Sequence, residues 1–429
     1  MIKQIVFTAA LLITIIIFFY TISTIIKKIR LTKPYPIKDF GKRFVLLLKV
    51  AVAQSTILRR PVVGFMHALV FWGFIIILFG SIEIVFDGIS GNERTFAFLG
   101  PIYNIVIGLG DLFAYIIFLC IIAFLVRRIF MHISRFQGVE MKAVSHRDAN
   151  ISLLLIMILM VTLMGTNIFY IVLHPEGYSG YFPISAYLAP VFENMSGNTA
   201  YFWHEVNWWL HILLIFFFAN YLPYSKHFHV FMSLPNVFLS RLESLGKLDT
   251  MKNVLREVRY MLNPDETPDI STEVPGLFGV KDVNDATWKN YFDALTCTQC
   301  GRCTDVCPAN ITGKKLSPRK IFIDFRKRMD EIGPKLIKNG AEFTDSKSLV
   351  RNYISEEELW ACTTCNACAK ECPVNINHPT LIVDMRRYLV MEESSAPGLL
   401  NNMFAHIENN GAPWQYSAEE RMKWAENLK

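Results

Sequence analysis

Apolar residues are concentrated in the first half of the chain, where they form five long runs. Each run is about as long as a helix that crosses a hydrocarbon core of about 30 Å. The five runs are 6–26, 62–82, 102–126, 151–172 and 204–222. The first run is too long for a cleavable signal peptide, and its basic residues follow the apolar stretch rather than precede it. The sequence therefore predicts a bundle of five transmembrane helices.

Lysine and arginine residues are unevenly distributed over the connections between these runs. The stretches 27–60 and 127–147 are rich in them, whereas 174–203 contains none. Because positive residues favour the cytoplasmic side, the N-terminus is predicted outside and everything after the fifth run in the cytoplasm. This distribution predicts a multi-pass protein of the inner (cytoplasmic) membrane. It also accounts for most of the net charge of +6, and no basic stripe interleaved with exposed aromatic residues points to nucleic-acid binding.

Eight of the nine cysteines lie in two runs that share the spacing C-x2-C-x2-C-x3-C-P. The first run contains Cys297, Cys300, Cys303 and Cys307, and the second contains Cys362, Cys365, Cys368 and Cys372. Dicluster ferredoxins of bacteria have this spacing, and in them three thiolates of one run hold a [4Fe-4S] cluster while the fourth binds the other cluster. We therefore expect Cys372 to complete the first cluster and Cys307 the second.

Other uses of these cysteines fit the spacing less well. A structural zinc site needs only four ligands, usually as two separated pairs. Disulfides belong to oxidising compartments, whereas both runs are predicted to face the cytoplasm. The ninth cysteine, Cys120, is alone in the third apolar run, where a free thiol is usually a small buried hydrophobic group.

Histidines in or beside the apolar runs are candidate haem ligands, because polar groups within a membrane are usually functional. The candidates are His67, His174, His204, His211 and His229. A lone membrane histidine can also simply bond to a neighbouring helix. His211 and His229 are 18 residues apart, so one continuous helix would place them on one face, about 27 Å apart. His227 would then point elsewhere, and His67 would face His229 as the second ligand of a b-type haem.

The stretch from His211 to His229 contains a Pro-Tyr-Ser-Lys turn and resembles the fifth helix of the haem b (gamma) subunit of respiratory nitrate reductase. The resemblance covers roughly residues 1–240. It implies that His67 pairs with His229 and that a menaquinol or ubiquinol site lies near a haem. That family has a second histidine in the second span, where this chain has Ile77. A second, distal haem would therefore need His211 with either His174 or His204.

The rest of the chain predicts a helical cytoplasmic domain, with helices at 318–329 and 355–360 and no alternating pattern long enough for a sheet. An amphipathic helix is predicted at 248–262, either packed or lying on the membrane surface, and a proline-rich linker at 263–276. The fold class is mainly α: a five-helix transmembrane bundle plus a cytoplasmic α-helical dicluster ferredoxin domain. The predicted parts are a haem b domain at 1–240, an amphipathic helix and linker at 241–279, a dicluster domain at 280–390 and a partner-docking tail at 391–429.

The sequence around the cysteines is similar to the iron-sulfur subunits of heterodisulfide reductase and of membrane-bound electron-transfer-flavoprotein:menaquinone oxidoreductases. The similarity rests on residues 297–303, 313–318, 362–368 and 410–414, together with Trp288, Arg421 and Trp424. That family often carries a further cysteine-rich CCG domain, for which no motif is present here. The resemblance therefore implies a separate CCG-domain iron-sulfur protein as a partner, with electron-transfer flavoprotein as another candidate.

These patterns predict the membrane anchor and electron-relay subunit of a respiratory complex. Electrons would pass between the quinone pool, haem b, two [4Fe-4S] clusters and a cytoplasmic redox partner. Two alternatives stay open. A self-contained quinone-linked reductase is disfavoured by the lack of a G-x-G-x-x-G fingerprint and of a spare cytoplasmic cysteine. The second is a membrane redox sensor that signals through its clusters.

Overall fold

The computed structural model describes residues 1–264, 277–340 and 342–428, and there the regular structure is helical. Five helices are long and apolar enough to cross a membrane. These are α1 (Ile2–Ile29), α3 (Pro61–Ser90), α4 (Pro101–Phe130), α5 (Ala143–Leu173) and α7 (Gly197–Tyr221), with the shorter α2 (Phe40–Leu47) and α6 (Ser185–Leu188) between them. The five predicted spans and the mainly α fold class are confirmed.

The ends of the long helices follow from local chemistry. Pro61 and Pro101 open α3 and α4, where the missing N–H has no partner to lose and the fixed φ suits the first turn. Ser196 caps α7 by accepting a hydrogen bond from the Thr199 backbone N–H at 3.3 Å. In the bundle, α5 packs against α4 and α7, α3 packs against α4, and α1 lies across α3 and α7.

The end of the fifth span differs from the prediction. Helix α7 ends at Tyr221, and two 3₁₀ turns, Leu222–Tyr224 and Lys226–Phe228, follow before α8 (His229–Phe238) begins. Pro223 has no N–H to continue the α-helical ladder, and Ser225 adopts an extended backbone that caps the second turn. The continuous helix that would place His211 and His229 on one face is therefore wrong, because the chain changes direction between them.

The second half of the chain forms a compact set of mostly short helices. They are α9 (Lys252–Leu262), α10 (Trp288–Thr296), α11 (Arg302–Asp305), α12 (Pro308–Ile311), α13 (Pro318–Asn339), α14 (Leu349–Asn352), α15 (Glu356–Trp360), α16 (Ala367–Glu371), α17 (His378–Met391), α18 (Gly398–Asn410) and α19 (Lys423–Glu426). The predicted helices at 318–329 and 355–360 correspond to α13 and α15. Helix α9 contains no buried residue, and the predicted linker at 263–276 lies almost entirely outside the described residues.

The helical bundle and the second half of the chain share a packed interface. Ile22, Ile25 and Ile29, at the end of α1, pack against the core of the second half. Two ion pairs reinforce this contact. Arg319 and Glu140 are 2.7 Å apart and fully buried, whereas Lys28 is 2.6 Å from Asp330, which is half exposed. The cysteine runs are thereby held against one end of the bundle.

Candidate metal centres

The two cysteine runs have the same backbone conformation. Gln299 and Thr364, each two residues after the first cysteine of a run, have positive φ angles of 56° and 54°. Gly301 and Asn366, each four residues after that cysteine, have φ angles of 76° and 61°. This repeated conformation shapes two matching loops, and in the second the Thr364 backbone N–H points at the Cys362 sulfur at 3.4 Å.

Gly301 in the first loop has a positive φ angle, which favours glycine, and it also makes a close contact that leaves no room for a side chain. A Cβ atom at Gly301 would lie 2.3 Å from the carbonyl oxygen of Arg135. Arg135 belongs to a 3₁₀ turn, Ser134–Phe136, that follows α4. The absence of a side chain at position 301 therefore lets the first cysteine loop touch the helical bundle directly.

The cysteines gather into two groups that cross over between the runs. Cys303 interacts electrostatically most strongly with Cys297, Cys300 and Cys372, and more weakly with Cys368. Cys368 interacts with Cys362, Cys365 and Cys307. Each group thus combines three cysteines of one run with the last cysteine of the other, as the sequence predicts for two clusters.

The donor set suits an iron-sulfur cluster better than a single ion. Within the three described ranges, no group of His, Cys, Asp and Glu side chains is set to hold one metal ion. A cubane [4Fe-4S] cluster does not need several side chains around one ion, because each of its iron ions binds one separate thiolate. Burial raises the pKa of the Cys297 thiol to about 11 and that of Cys368 to about 12. Binding of iron by these thiols would therefore release protons, and the positive charge of the iron would favour the thiolate form.

The two groups differ in exposure and in surrounding charge. Cys365, in the second group, is exposed, whereas Cys297, Cys303 and Cys372 of the first group are buried. Several cations approach the first group: Arg302 near Cys300 and Cys372, and Lys226, Arg319 and Arg326 near Cys297. At the second group, Arg386 lies near Cys362 and donates to its backbone carbonyl oxygen at 2.5 Å.

Arg302 joins the first cysteine group to the bundle. Its guanidinium is 5 % exposed and donates to the carbonyl oxygens of Thr56 at 2.8 Å and Ile57 at 3.2 Å. It also lies within electrostatic range of His67 in α3. Sequence reasoning missed this contact, because Arg302 and Thr56 are 246 positions apart in the chain and no local pattern links them.

Three histidines meet at the same end of the bundle. His67 and His229 interact electrostatically, and the rings of His227 and His229 are 5.7 Å apart. The Nδ1 atom of His67 is buried without a hydrogen-bond partner among the described residues. Burial lowers the pKa of His227 to about 3 and also lowers that of His229. Neutral imidazole is the form that binds a metal, so this group can supply haem ligands.

The predicted ligands of a distal haem do not meet. His211 points its Nδ1 atom at the carbonyl oxygen of Leu159, 3.0 Å away, and at the Thr162 hydroxyl, while its Nε2 atom is buried without a described partner. His174 directly follows α5 and is twelve residues after Thr162, which corresponds to about 18 Å along the helix axis. His204 precedes His211 on the same side of the same helix and cannot face it across a haem. Neither pairing therefore stands.

A cavity of about 270 Å³ lies at the opposite end of the bundle, between α1, α3, α4, α5 and α7. Its polar lining comprises Lys3, Gln4, Asp87, Asn92, Glu93, Arg94, Asp111, Thr166, Asn167, Tyr170 and His204. Asp111 is already engaged, since it accepts hydrogen bonds from the backbone N–H groups of Ile184 and Ser185 at 2.9 and 3.0 Å. Other lining groups are engaged as well: Lys3 pairs with Glu205 at 2.5 Å, and the Asn167 amide is hydrogen-bonded to Arg94 and Asp111.

Comparison with protein families identifies the cysteine-containing part of the chain. The match to the 4Fe-4S dicluster domain extends over residues 296–376. Residues 296–376 form a 4Fe-4S dicluster domain. This match includes both cysteine runs and supports two [4Fe-4S] clusters.

Curated relatives extend over more of the chain. A probable iron-sulfur-binding oxidoreductase, FadF, of Bacillus subtilis is 28% identical over 95% of this chain and 58% of its own length. The EtfAB:quinone oxidoreductase of Syntrophomonas wolfei is 28% identical over 87% of this chain and 52% of its own.

A third relative matches a shorter part of the chain, over 106 aligned residues. It is a subunit of the ferredoxin/F(420)H(2)-dependent CoB-CoM heterodisulfide reductase of Methanosarcina acetivorans, 32% identical over 24% of this chain and 52% of its own. The chain spans about half the length of the curated relatives it matches. No solved structure matches. The predicted similarity to iron-sulfur oxidoreductases is confirmed, and the resemblance to nitrate reductase gamma stays a prediction.

Proposed function

We propose that this protein relays electrons across the membrane interface between a quinone and a cytoplasmic redox protein. The observation that carries the proposal is the contact of the first cysteine group with the bundle end that holds His67 and His229. Arg302 lies within electrostatic range of both. The FadF and EtfAB:quinone oxidoreductase similarities support an oxidoreductase role, and the name of the second relative includes a quinone.

His67 and His229 are proposed to hold a b-type haem from opposite sides. When bound, the haem and the two clusters each exchange one electron at a time. The Nδ1 of His229 faces the carbonyl oxygen of Lys226 at 3.3 Å, which leaves its Nε2 available as the ligand atom. His227 is the alternative second ligand, because its ring is adjacent.

The cavity at the far end of the bundle is proposed to bind the quinone head group. His204 and Trp208 line this cavity and are the proposed contacts of the head group, whereas Lys3 is paired with Glu205 and the Asn167 amide is bonded to Asp111 and Arg94. With the cysteine runs in the cytoplasm, as the basic connections predict, this cavity opens toward the outer side. Two electrons and two protons leave each quinol on oxidation, and the same numbers return on reduction.

The second cysteine group is proposed as the contact point with the cytoplasmic partner, because Cys365 is exposed. A CCG-type iron-sulfur protein and electron-transfer flavoprotein are the proposed partners. We also propose the division of the chain into the parts predicted from the sequence, including the docking tail at 391–429.

The test uses the purified protein in mild detergent with a reduced menaquinol analogue. We expect the analogue to reduce haem and clusters in the wild-type protein, and His67→Ala to lose the haem spectrum and slow cluster reduction at least tenfold. His204→Ala should raise the quinol KM while keeping the haem. Cluster reduction at the wild-type rate in His67→Ala would refute the relay through haem.

A further inference from the structure

Three buried polar side chains lie beside the first cysteine group but outside the residues that match the dicluster family, 296–376. Asn236 in α8 and Lys289 and Asp293 in α10 are 0%, 6% and 3% exposed. Lys289 Nζ lies 2.5 Å from Asp293 Oδ1 and donates to Asn236 Oδ1 at 3.0 Å. We call Asn236, Lys289 and Asp293 the polar triad. Burying an ion pair and an amide is costly, so the contacts of the triad indicate what it holds.

The amide of Asn236 has a fixed orientation. Its oxygen accepts a hydrogen bond from Lys289, so its NH₂ group faces the other way and can donate two hydrogen bonds. One goes to Asp293 Oδ1 at 3.0 Å, and the other goes to the backbone carbonyl oxygen of Val374 at 2.9 Å. The ion pair therefore aims the Asn236 amide at the segment that follows Cys372.

Val374 belongs to the turn that surrounds the Cys372 sulfur. The backbone N–H groups of Val374 and Ile376 both donate to that sulfur. Hydrogen bonds to a ligand sulfur stabilise the extra negative charge of a reduced cluster and therefore raise its potential. Asn236 thus holds the carbonyl oxygen of the same residue whose N–H group faces the sulfur.

The polar triad also holds the first cysteine run. The backbone N–H of Cys297 donates to the backbone carbonyl oxygen of Asp293 at 3.0 Å, at the end of α10. Cys297 and Cys372 come from different runs but belong to the same cysteine group. Through Asp293 and Asn236, the triad links the two segments that the crossover must bring together.

The crossover loop is also attached to α8 at a second point. The side-chain amide of Asn375 donates to Ser240 Oγ at 3.4 Å, two residues after the end of α8. Helix α8 itself packs against α10. The loop that follows Cys372 is therefore fastened to the segment that leaves the bundle, and not only to its own domain.

We propose that Asn236 is a positioning residue for the first [4Fe-4S] cluster, the one that Cys372 completes. Asn236 holds the loop of the crossover ligand, and the ion pair of Lys289 with Asp293 holds Asn236. Without this hold the loop relaxes, so the first cluster becomes harder to reduce and easier to lose. This inference goes beyond the proposed function, because it needs the first cluster but neither the haem nor the quinone.

The test uses Asn236→Leu in full-length protein purified in mild detergent. Leucine has a similar size but donates to neither Val374 nor Asp293. Reduction of the first cluster should become about tenfold less favourable, which corresponds to a fall in midpoint potential of about 60 mV. A chelator should remove the iron of this cluster at least about tenfold faster than in the wild type. Redox titration followed by paramagnetic resonance measures the potential, and the signal that Cys372→Ala lacks identifies the first cluster.

Asn310→Leu is the matched control. The Asn310 side-chain amide donates to the Leu316 carbonyl oxygen at 3.0 Å, and its backbone N–H donates to the sulfur of Cys307, the crossover ligand of the second cluster. This variant removes a comparable amide from the other crossover loop. It should leave the potential and the retention of the first cluster unchanged.

A milder variant separates positioning from misfolding. Asn236→Ser keeps a hydroxyl that has only one donor, so its first-cluster potential should lie between those of the wild type and Asn236→Leu. If Asn236→Leu loses both clusters, a selective change of the first cluster in Asn236→Ser supports the inference, and an equal change of both clusters overturns it. An unchanged first-cluster potential and retention in Asn236→Leu would also overturn it. The same measurements apply to protein that contains no haem, so failure of this inference and failure of the proposed function are distinguishable.

Discussion

Arg302 Nη1 donates to the carbonyl oxygen of Thr56 at 2.8 Å. Together with the bond from Arg302 Nη2 to the Ile57 carbonyl oxygen at 3.2 Å, it joins the loop of the first cysteine group to the connection that precedes α3. The bonded guanidinium is buried and faces carbonyl oxygens rather than a carboxylate, so its positive charge acts on the neighbouring cysteines Cys300 and Cys372. The same residue therefore fixes the position of the first cluster and biases its charge.

Replacing Arg302 with glutamine should lower the midpoint potential of the first cluster. A cation stabilises the more negative reduced cluster, and losing about 1.4 kcal/mol of that stabilisation corresponds to about 60 mV for one electron. Redox titration followed by paramagnetic resonance measures the shift. Arg386→Gln is the matched control, because Arg386 lies beside Cys362 of the second group; it should shift the second cluster and leave the first unchanged.

The crossover of the cysteine groups predicts which cluster each variant loses. Cys372→Ala should abolish the cluster of the first run, and Cys307→Ala the cluster of the second run. Each variant should keep about four of about eight cluster irons. Iron analysis with paramagnetic resonance of the remaining cluster tests this, with Cys120→Ser as a control that keeps both. Loss of the second-run cluster in Cys372→Ala would show that the fourth thiolate does not cross over.

The proposed haem ligands can be tested by substitution. We expect His67→Ala and His229→Ala each to remove the haem spectrum while both clusters remain, because ligands and cluster thiolates lie in separate parts of the chain. His227→Ala should keep the haem, since Ser225 Oγ lies within 3.4 Å of its Nδ1 and holds the ring locally. Reduced-minus-oxidised spectra decide the matter. Haem loss in His227→Ala alone would identify His227 as the ligand in place of His229.

The buried ion pair between Glu140 and Arg319 should stabilise the docking of the dicluster domain. Both side chains are at most 2% exposed. Glu140→Gln would leave a buried guanidinium without its counter-charge, which costs about 3–5 kcal/mol. Thermal bleaching of the cluster absorbance and limited proteolysis at the interface should show the loss. Glu357→Gln, which breaks the exposed pair with Lys315, should leave both measurements unchanged because solvent screens that pair; a similar loss in both variants would contradict the argument.

Sequence patterns predicted the parts of the molecule that depend on local periodicity. The length of the apolar runs gave the five spans, and the cysteine spacing gave the crossover groups. The prediction that His211 and His229 share one helix face was wrong, because the helix ends just before Pro223, and so before His229. The proline is a helix-ending signal that the sequence already shows. The contacts of Arg302 and Arg319 were not predicted, because they join positions about 180 to 246 residues apart. Such pairs are set by how the two halves dock, which leaves no local pattern.

The C-terminal tail offers the surface on which a partner should dock. Helix α18 contains no buried residue, and the side chains of Leu399, Trp414 and Trp424 are 85%, 54% and 69% exposed. Large apolar side chains of this kind often carry most of the binding energy at an interface. Truncation after Met391 should therefore weaken binding of the cytoplasmic iron-sulfur partner at least tenfold while haem and clusters stay bound. Copurification in mild detergent measures partner retention, and Trp414→Ala with Trp424→Ala provides a variant that keeps the tail. Full retention of the partner after truncation would place the interface elsewhere, and the exposed Cys365 surface would then be the next to test.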